Sequence, residues 1–170
     1  MKTENVENLK LQVKDNKTRL QRLSDEQMQE TLGPGEWSGK ELLGHLSDSA
    51  AMNRQRIVRS QYEIPYEFPF YDQPKWTQIQ AYNQYVWLDL VNLWVVEYQH
   101  LLHIIENLPD QSASSKCPIK FSSSDWVTLD WLVGHIYRHN DHHLHQIYWL
   151  AGEGDLPDDR ELYQPIEELP

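Results

Sequence analysis

The spacing of apolar residues between positions 77 and 108 constrains the fold of this chain more than any other feature. Apolar side chains recur there mostly at steps of three and four residues, which places them on one side of an α-helix. This stripe consists of Val86, Leu90, Leu93, Leu101, Ile104 and Leu108, and a proline follows it directly. We therefore predict a long amphipathic helix from Thr77 to Leu108.

Two segments before this helix have a similar helical spacing. Residues 5–30 carry widely spaced leucines and valines among charged side chains, and a Gly-Pro-Gly sequence follows them. A second helix is predicted to begin at Ser38, because Ser38 and Glu41 form the S-x-x-E pattern of a capping box. Its apolar positions continue to a predicted end near Ser60 or Tyr62.

The last helix is predicted to run from Thr128, a suitable N-cap residue, to Leu150, with glycines supplying its stop. Residues 63–77 carry three prolines among aromatic residues, which excludes a helix there, and residues 109–127 read as a polar loop. No segment shows the alternation of a convincing strand. The sequence therefore predicts one all-α domain over residues 1–170, a four-helix bundle with long connectors.

Composition limits the classes of partner. The formal net charge is −11 and there is no run of Lys or Arg, so binding to nucleic acid is not expected. No apolar stretch is long enough for a membrane span, and the N-terminal residues lack the apolar core of a signal peptide. Cys117 is the single cysteine, so no intrachain disulfide can form. We expect a cytoplasmic protein with a small-molecule substrate.

Two histidines interrupt the apolar stripe of the last helix. The stripe consists of Leu129, Leu132, Ile136, His139, His143, Ile147 and Leu150. Residues four apart lie on the same face of a helix, so the rings of His139 and His143 can reach one metal ion. A bound metal would satisfy both imidazoles, whereas two unpartnered rings in a core would be costly to desolvate. The alternative is that both are ordinary histidines, hydrogen-bonded in the interior or exposed.

A third metal ligand is needed, and the sequence leaves several candidates open. His135 and His142 lie on the same helix, but a straight helix aims three such residues at one ion with difficulty. His45 on the second helix lies between leucines and is geometrically better placed. His100 and His103 on the third helix read as edge or surface residues, and His145 as a solvated one.

Two motifs carry a resemblance to a known family. Residues 36–49 read E-W-S-G-K-E-L-L-G-H-L-S-D-S, and residues 139–147 read H-N-D-H-H-L-H-Q-I. The pair resembles the W-S-x-x-E-h-h-x-H-L-x-D-S and H-x-x-x-H-x-x-Q-I motifs of the DinB/YfiT-like superfamily, in the same order and helical placement. The resemblance implies a four-helix bundle that forms a homodimer. It also implies a divalent metal, zinc or nickel, bound by His45, His139 and His143.

Three imidazoles leave one coordination position open, as in catalytic zinc sites. The resemblance then implies one of two activities on a small molecule, hydrolysis or S-transfer from a low-molecular-weight thiol. There are two alternatives. One is a non-catalytic metal- or ligand-binding bundle linked to the stress response, and the other is a structural bundle in which the histidines bind no ion.

Further candidates for the site lie on the second and third helices and on the connector between them. Asp48 could orient a bound imidazole, and Glu97, an acid within an apolar stripe, is the candidate general base or orienting partner. Arg56 could bind an anionic group of a substrate, or it pairs with a surface carboxylate. The connector aromatics are expected to wall a pocket or to form a dimer contact: Tyr66, Phe68, Tyr71 and Trp76.

Overall fold

The computed structural model describes residues 3–62, 66–67, 71–109, 119–120 and 126–155. Four long helices form the body of the molecule, and a short helix and three two-residue strands lie in the connectors. In chain order the elements are α1 (Glu4–Leu20), α2 (Gly39–Arg59), β1 (Tyr66–Glu67), α3 (Gln73–Gln80), α4 (Trp87–Asn107), β2 (Ile119–Lys120), β3 (Trp126–Val127) and α5 (Leu129–Leu150). Two short 3-10 turns cover Gln27–Gln29 and Tyr82–Gln84.

The predicted all-α four-helix bundle is confirmed. Helices α1 and α2 each pack against both α4 and α5, so α2 and α5 are neighbours along one edge of the bundle. The fully buried side chains between the helices include Leu9, Leu46, Trp94, Tyr98 and Ile147. Burial of each such side chain contributes about 1.5–3 kcal/mol. Within the described residues, no helix combines the length and the apolar character that crossing a membrane requires.

Helix α2 begins where the capping box predicts. The Ser38 hydroxyl accepts a hydrogen bond from the Glu41 amide (3.2 Å), and the Glu41 carboxylate accepts one from the Ser38 amide (2.9 Å). These two bonds satisfy backbone donors that the first turn leaves open. The helix ends at Arg59, close to the predicted end. Its start fixes His45 in the second turn, on the side that faces α5.

Helix α5 also has the predicted bounds. The Thr128 hydroxyl accepts a hydrogen bond from the Trp131 amide (3.1 Å), which caps the first turn. At the other end Gly152 has a φ of +80°, which a residue without a Cβ adopts at little cost. This turn lets the Glu153 amide reach the Tyr148 carbonyl (2.8 Å) and close the helix.

The first helix is shorter than predicted. It ends at Leu20 rather than continuing to position 30. Ser24 and Gln27 exchange two hydrogen bonds, from the Ser24 amide to the Gln27 side chain (2.9 Å) and from the Gln27 amide to the Ser24 hydroxyl (3.2 Å). Such local bonds compete with a continuing helix. Met28 is nevertheless fully buried, because the turn after the helix folds back onto the core.

The predicted start of the third helix at Thr77 is wrong, and so is the exclusion of a helix from residues 63–77. Helix α3 begins within that segment. Pro74 does not prevent it, because this proline lies in the first turn, where the missing amide proton costs no hydrogen bond. It ends at Gln80, and the φ of +52° at the next residue, Ala81, turns the chain out of the helix. The long helix α4 therefore begins only at Trp87. Val86 precedes it and is exposed, although it was predicted to lie on the buried stripe.

The connectors also contain three two-residue strands, which leave the all-α class of the fold unchanged. Strand β1 pairs in parallel with β2, and β2 pairs in antiparallel with β3, forming one small sheet from segments of both connectors. Strands of two residues are too short to show a period in the sequence. The side chains of Tyr66 and Phe68, together with Cys117 and the acidic tail after Asp155, lie outside the described residues.

Candidate metal centre

Helices α2 and α5 bring three histidines together at their interface. One ring nitrogen from each of His45, His139 and His143 lies within 4.8 Å of the other two. The Nε2 atoms of His45 and His139 are 3.1 Å apart. The three ring centroids are separated by 4.7–5.1 Å, and each pair of rings meets edge to face. The nitrogens thus converge on one small volume.

Burial keeps two of these rings neutral. His45 is only 2% exposed, and burial together with the nearby His143 lowers its pKa to about 3. Burial, followed by the neighbouring histidines, also holds the pKa of His139 well below its usual value. Both imidazoles are therefore neutral near pH 7, and each has one ring nitrogen that carries a lone pair. Neutral imidazole is the form that binds a metal ion.

Gln146 orients the third ring. Its side-chain oxygen lies 2.6 Å from Nδ1 of His143, three residues earlier on α5. An amide oxygen only accepts hydrogen bonds, so Nδ1 of His143 carries the proton and donates it. This tautomer leaves Nε2 as the lone-pair atom, directed away from Gln146. Such partners of metal-binding histidines fix both the tautomer and the orientation of the ring.

Trp37 covers the cluster from the side of the loop before α2. Its ring centroid is 4.8 Å from that of His45 and 6.5 Å from that of His143. The residue directly precedes the N-cap Ser38, so the capping box that starts α2 also holds this indole in place. A partly buried indole at this position limits the access of water to the imidazoles.

The donor set fits a divalent transition metal. Two nitrogens that share one ion at tetrahedral geometry are about 3.4 Å apart, since each bond is about 2.0–2.1 Å. The 3.1 Å between Nε2 of His45 and Nε2 of His139 is close to this value. Nδ1 of His45 is a buried nitrogen with no hydrogen-bond partner among the described residues. The ring therefore has a nitrogen whose bonding is not satisfied within the described part of the chain. Three imidazoles suit zinc and nickel better than magnesium or calcium.

Comparison with known proteins places the chain in a family. A sequence model described as the DinB superfamily matches residues 9–147, a span that includes all three histidines. The chain belongs to the DinB superfamily. No curated protein matches the sequence significantly.

One solved structure shares the fold of this DinB-superfamily chain. It is YfiT from Bacillus subtilis, described as a probable metal-dependent hydrolase with an unusual four-helix bundle topology. The TM-score is 0.76, and the match covers 89% of this chain and 87% of that chain. The sequence identity is 18%, so the comparison establishes the bundle and its topology.

The structure places Asp48 beside the connector rather than on a histidine ring. Its carboxylate accepts hydrogen bonds from Gln80 (2.8 Å and 2.9 Å) and from the hydroxyl of Tyr82 (2.8 Å). Burial raises its pKa, against the opposing effect of these hydrogen bonds. The ring of Tyr82 packs directly on Gly44, next to His45 in the chain. Asp48 therefore anchors the turn before α4, and its predicted catalytic role stays a prediction.

Glu97 lies against an arginine of α2. Its carboxylate lies 3.6 Å from a guanidinium nitrogen of Arg54, nine residues after His45 on α2. The same arginine contacts Nδ1 of His100 at 2.9 Å. Arg54 therefore lies about 13 Å along α2 from His45, since each residue of a helix adds about 1.5 Å. The predicted role of Glu97 as general base or orienting partner likewise stays a prediction.

The other histidines lie outside the triad. Neither His135 nor His142 joins the group of converging nitrogens among the described residues. The ring of His135 instead stacks on Trp131, and His142 is buried beside His143. The remaining three are exposed, as the sequence predicted: His100, His103 and His145.

Sequence reasoning gave no role to Trp37 or Gln146. Both belong to the quoted motifs, but the orienting partner was expected to be a carboxylate rather than an amide. The spacing of His143 and Gln146, three residues apart on one helix, was the available signal. Of the aromatic residues expected to wall the site, Tyr71 and Trp76 pack against each other with centroids 4.6 Å apart.

Proposed function

We propose that this protein is a metal-dependent hydrolase of small molecules, with a divalent ion bound by His45, His139 and His143. The observation that carries the proposal is the convergence of three imidazole nitrogens from α2 and α5 within 4.8 Å. Among the described residues three protein ligands meet there, which is the ligand number of catalytic rather than structural zinc sites. The description of YfiT as a probable metal-dependent hydrolase supports the same reaction class.

Each residue around the site has a task in this proposal. The two neutral rings of His45 and His139 offer lone pairs, and Gln146 holds the ring of His143 in the matching tautomer. Trp37 shields the imidazoles from bulk water and forms an apolar wall for a substrate. When bound, a divalent ion with an open coordination position supplies Lewis-acid chemistry and activates water at neutral pH.

Asp48 is the proposed acid–base group of this site. It lies one turn after His45 on α2, and burial raises its pKa toward the range useful for proton transfer. Glu97 is proposed as the second candidate, although its ion pair with Arg54 gives it a structural partner. The variants Asp48→Asn and Glu97→Gln separate the two, since only the acid–base group should change the pH profile of turnover.

The finer points of the proposal concern the metal, the reaction and the assembly. Zinc and nickel are the proposed ions, because all three donors are imidazole nitrogens. Transfer of a low-molecular-weight thiol is the alternative reaction, since a metal ion of this kind also stabilises a thiolate.

A homodimer is proposed as well, and three exposed apolar side chains near the start of α4 support it: Ile79, Val86 and Leu88. Analytical ultracentrifugation measures this state directly.

Elemental analysis and an activity screen test the proposal together. The purified protein should contain about one zinc or nickel per chain, and a chelator should lower its melting temperature. The screen offers ester and amide substrates, alone and with low-molecular-weight thiols. His139→Ala should lose both the metal and any hydrolysis. His103→Ala is the matched control, because His103 is an exposed histidine on α4.

The outcomes separate the candidate functions. Metal binding with hydrolysis that His139→Ala abolishes supports the hydrolase. Turnover that requires an added thiol would support the transferase instead. Stoichiometric metal without turnover on either substrate set would favour a non-catalytic metal-binding bundle. Full metal content in His139→Ala would show that the ion is bound elsewhere.

A further inference from the structure

His45 lacks the orienting hydrogen bond that His143 has. Gln146 accepts a hydrogen bond from Nδ1 of His143, whereas Nδ1 of His45 is buried and has no hydrogen-bond partner among the described residues. Metal-binding histidines almost always have such a partner, which fixes the orientation of the ring. The placement of His45 therefore depends on packing: on its ring contact with Trp37 and on the position of the helix segment that carries it.

The connector between α3 and α4 contacts α2 both before and after His45. We call the residues that make these contacts the connector clamp: Gln80, Tyr82 and Asn83. Before His45, the side-chain oxygen of Asn83 accepts a hydrogen bond from the hydroxyl of Ser38, the N-cap residue of α2. After His45, the Asp48 carboxylate accepts hydrogen bonds from Gln80 (2.8 Å and 2.9 Å) and from the Tyr82 hydroxyl (2.8 Å). The connector clamp thus holds residues 38–48 of the chain, the segment that contains His45.

Tyr82 makes the closest of these contacts, directly beside the predicted metal ligand. Its ring lies against the backbone of Gly44, where an added Cβ would be only 2.2 Å away. The ring is buried and its hydroxyl is bonded to Asp48, so it cannot move away from α2 at low cost. Because Gly44 directly precedes His45, a shift of this ring would also shift the helix backbone that carries the imidazole.

The metal centre tolerates little displacement of α2 against α5. Helix α2 supplies one of the three converging nitrogens, and α5 supplies the other two. The distances from an ion to its nitrogen ligands vary by only about 0.2 Å, so a binding site needs its ligands held in place before the ion arrives. The connector clamp contacts α2 and not α5 through these bonds, and it therefore acts on the single ligand that comes from α2.

We propose that Tyr82 is a positioning residue of the metal centre. Through Gly44 and Asp48 it holds His45 where the ring nitrogen meets the two imidazoles of α5. Gln80 supports the same placement through the carboxylate of Asp48. This inference rests on the proposed function, and it adds a connector residue that touches neither the ion nor the substrate. Tyr82 acts on metal binding only through the segment of α2 that it contacts.

The test compares two tyrosines whose hydroxyls have similar surroundings. Tyr148 on α5 is as buried as Tyr82, at 3% exposure each, and its hydroxyl donates a hydrogen bond of 2.6 Å to Asn16 on α1. Tyr82→Phe and Tyr148→Phe should both lower the melting temperature of the metal-free protein, by about 2–6 °C. Only Tyr82→Phe should raise the Kd for zinc, by about tenfold, in competition with a chelating dye. The Kd of Tyr148→Phe should stay within about twofold of the wild type.

The visible spectrum of bound Co²⁺ gives a readout that a loss of stability alone does not change, because it depends on the geometry of the ligands around the ion. At saturating Co²⁺, the wild type and Tyr148→Phe should have the same spectrum. Tyr82→Phe should have shifted or weaker bands, since His45 is less well placed. Either a Kd or a spectrum of Tyr82→Phe that equals that of Tyr148→Phe would overturn the inference.

Gln80→Ala keeps the inference testable if Tyr82→Phe fails to fold, because Gln80 is exposed and its loss removes only the bonds to Asp48. It should raise the Kd for zinc by about threefold. Gln78→Ala is the matched control, an exposed glutamine on the same helix α3, and should leave the Kd unchanged. In that case, equal Kd values in Gln80→Ala and Gln78→Ala would overturn the inference.

The wild-type measurement keeps the two proposals apart. Zinc binding by the wild type, with no effect of Tyr82→Phe, would leave the hydrolase proposal and remove only the role of Tyr82. Zinc binding that depends on Tyr82, in a protein without hydrolysis, would support the positioning role and remove the hydrolase. A wild-type protein that binds no zinc and no Co²⁺ would remove both.

Discussion

Nδ1 of His143 donates a hydrogen bond of 2.6 Å to the side-chain oxygen of Gln146. This bond selects the tautomer in which Nε2 of His143 carries the lone pair that can bind a metal ion. We therefore predict that Gln146→Ala lowers zinc affinity by about 10–100-fold, the usual cost of losing an orienting partner. Competition with a chelating dye measures the change.

Two further variants control this prediction. Gln146→Glu keeps an acceptor oxygen at the same distance and should retain most of the affinity. Gln99→Ala removes an exposed glutamine from α4 and should leave the affinity unchanged. Equal zinc affinity in Gln146→Ala and Gln99→Ala would mean that His143 does not depend on this bond.

Close packing at Gly44 provides a second prediction. A Cβ on Gly44 would lie 2.2 Å from the ring of Tyr82, a residue that is 3% exposed and bonded to Asp48. The ring is enclosed, so it cannot move away at low cost. We expect Gly44→Ala to lower the free energy of unfolding by about 1–3 kcal/mol, although alanine is the better helix former. Urea denaturation measures the loss.

Gly33→Ala is the matched control for this substitution. The nearest atom to a Cβ there is the Glu36 side chain at 3.8 Å, an ordinary contact distance. The control should unfold within about 0.5 kcal/mol of the wild type. A Gly44→Ala protein as stable as this control would contradict the proposed fit of Tyr82 against α2.

The parts of the fold that the sequence predicted correctly are those set by local chemistry. The capping box at Ser38 and the N-cap at Thr128 satisfy their own first turns, so α2 and α5 begin where expected. The boundary between α3 and α4 has no such local cause. Ala81 takes a left-handed conformation that nothing in its own chemistry favours. Packing of the adjacent Tyr82 on Gly44 accompanies that turn.

In the candidate site, too, the sequence predicted some residues correctly but did not reveal their contacts. His139 and His143 were recognisable because polar rings stood at apolar positions of one helix. Geometry favoured His45, which lies between leucines on another helix, and the family resemblance then selected it from the candidates left open. The partners of Asp48 and Glu97 come from elements far away in the chain: Gln80 and Tyr82 for the first, Arg54 for the second. No helical period reveals contacts of that kind, because they depend on how the helices and connectors pack.

A buried amide network next to the site gives a third prediction. The side chain of Asn140, which is fully buried, accepts a hydrogen bond from Trp94 Nε1 (3.1 Å) and donates one to Gln12 (2.7 Å). Asn140→Ala would leave both partners unsatisfied in the core. We expect a loss of about 2–4 kcal/mol in the free energy of unfolding. Zinc affinity should also fall, since His139 is the preceding residue.

Asn92→Ala is the control for this network, because Asn92 is exposed on α4. It should change stability by less than about 0.5 kcal/mol. Thermal unfolding and urea denaturation should rank the stabilities of the two variants in the same order. An Asn140→Ala protein with wild-type stability would show that water replaces the lost amide at no cost.

Proton binding by the buried histidines makes the metal-free protein sensitive to acid. The pKa of His45 is lowered from about 6.5 to about 3 in the folded state, mainly by burial. Between these values the unfolded chain binds a proton at His45 and the folded chain does not. Stability is therefore complete above about pH 6.5 and falls as the pH decreases toward about 3.

We predict that the metal-free protein loses about 2 kcal/mol of unfolding free energy through His45 alone between about pH 7 and about pH 5. Urea denaturation at a series of pH values, in the presence of a chelator, measures this slope. His45→Gln removes the titrating ring and should reduce the slope by close to one proton, whatever its effect on stability at neutral pH. His103→Gln, an exposed site, should keep the full slope. A wild-type slope in His45→Gln would mean that the ring of His45 takes up protons in the folded state as readily as in the unfolded one.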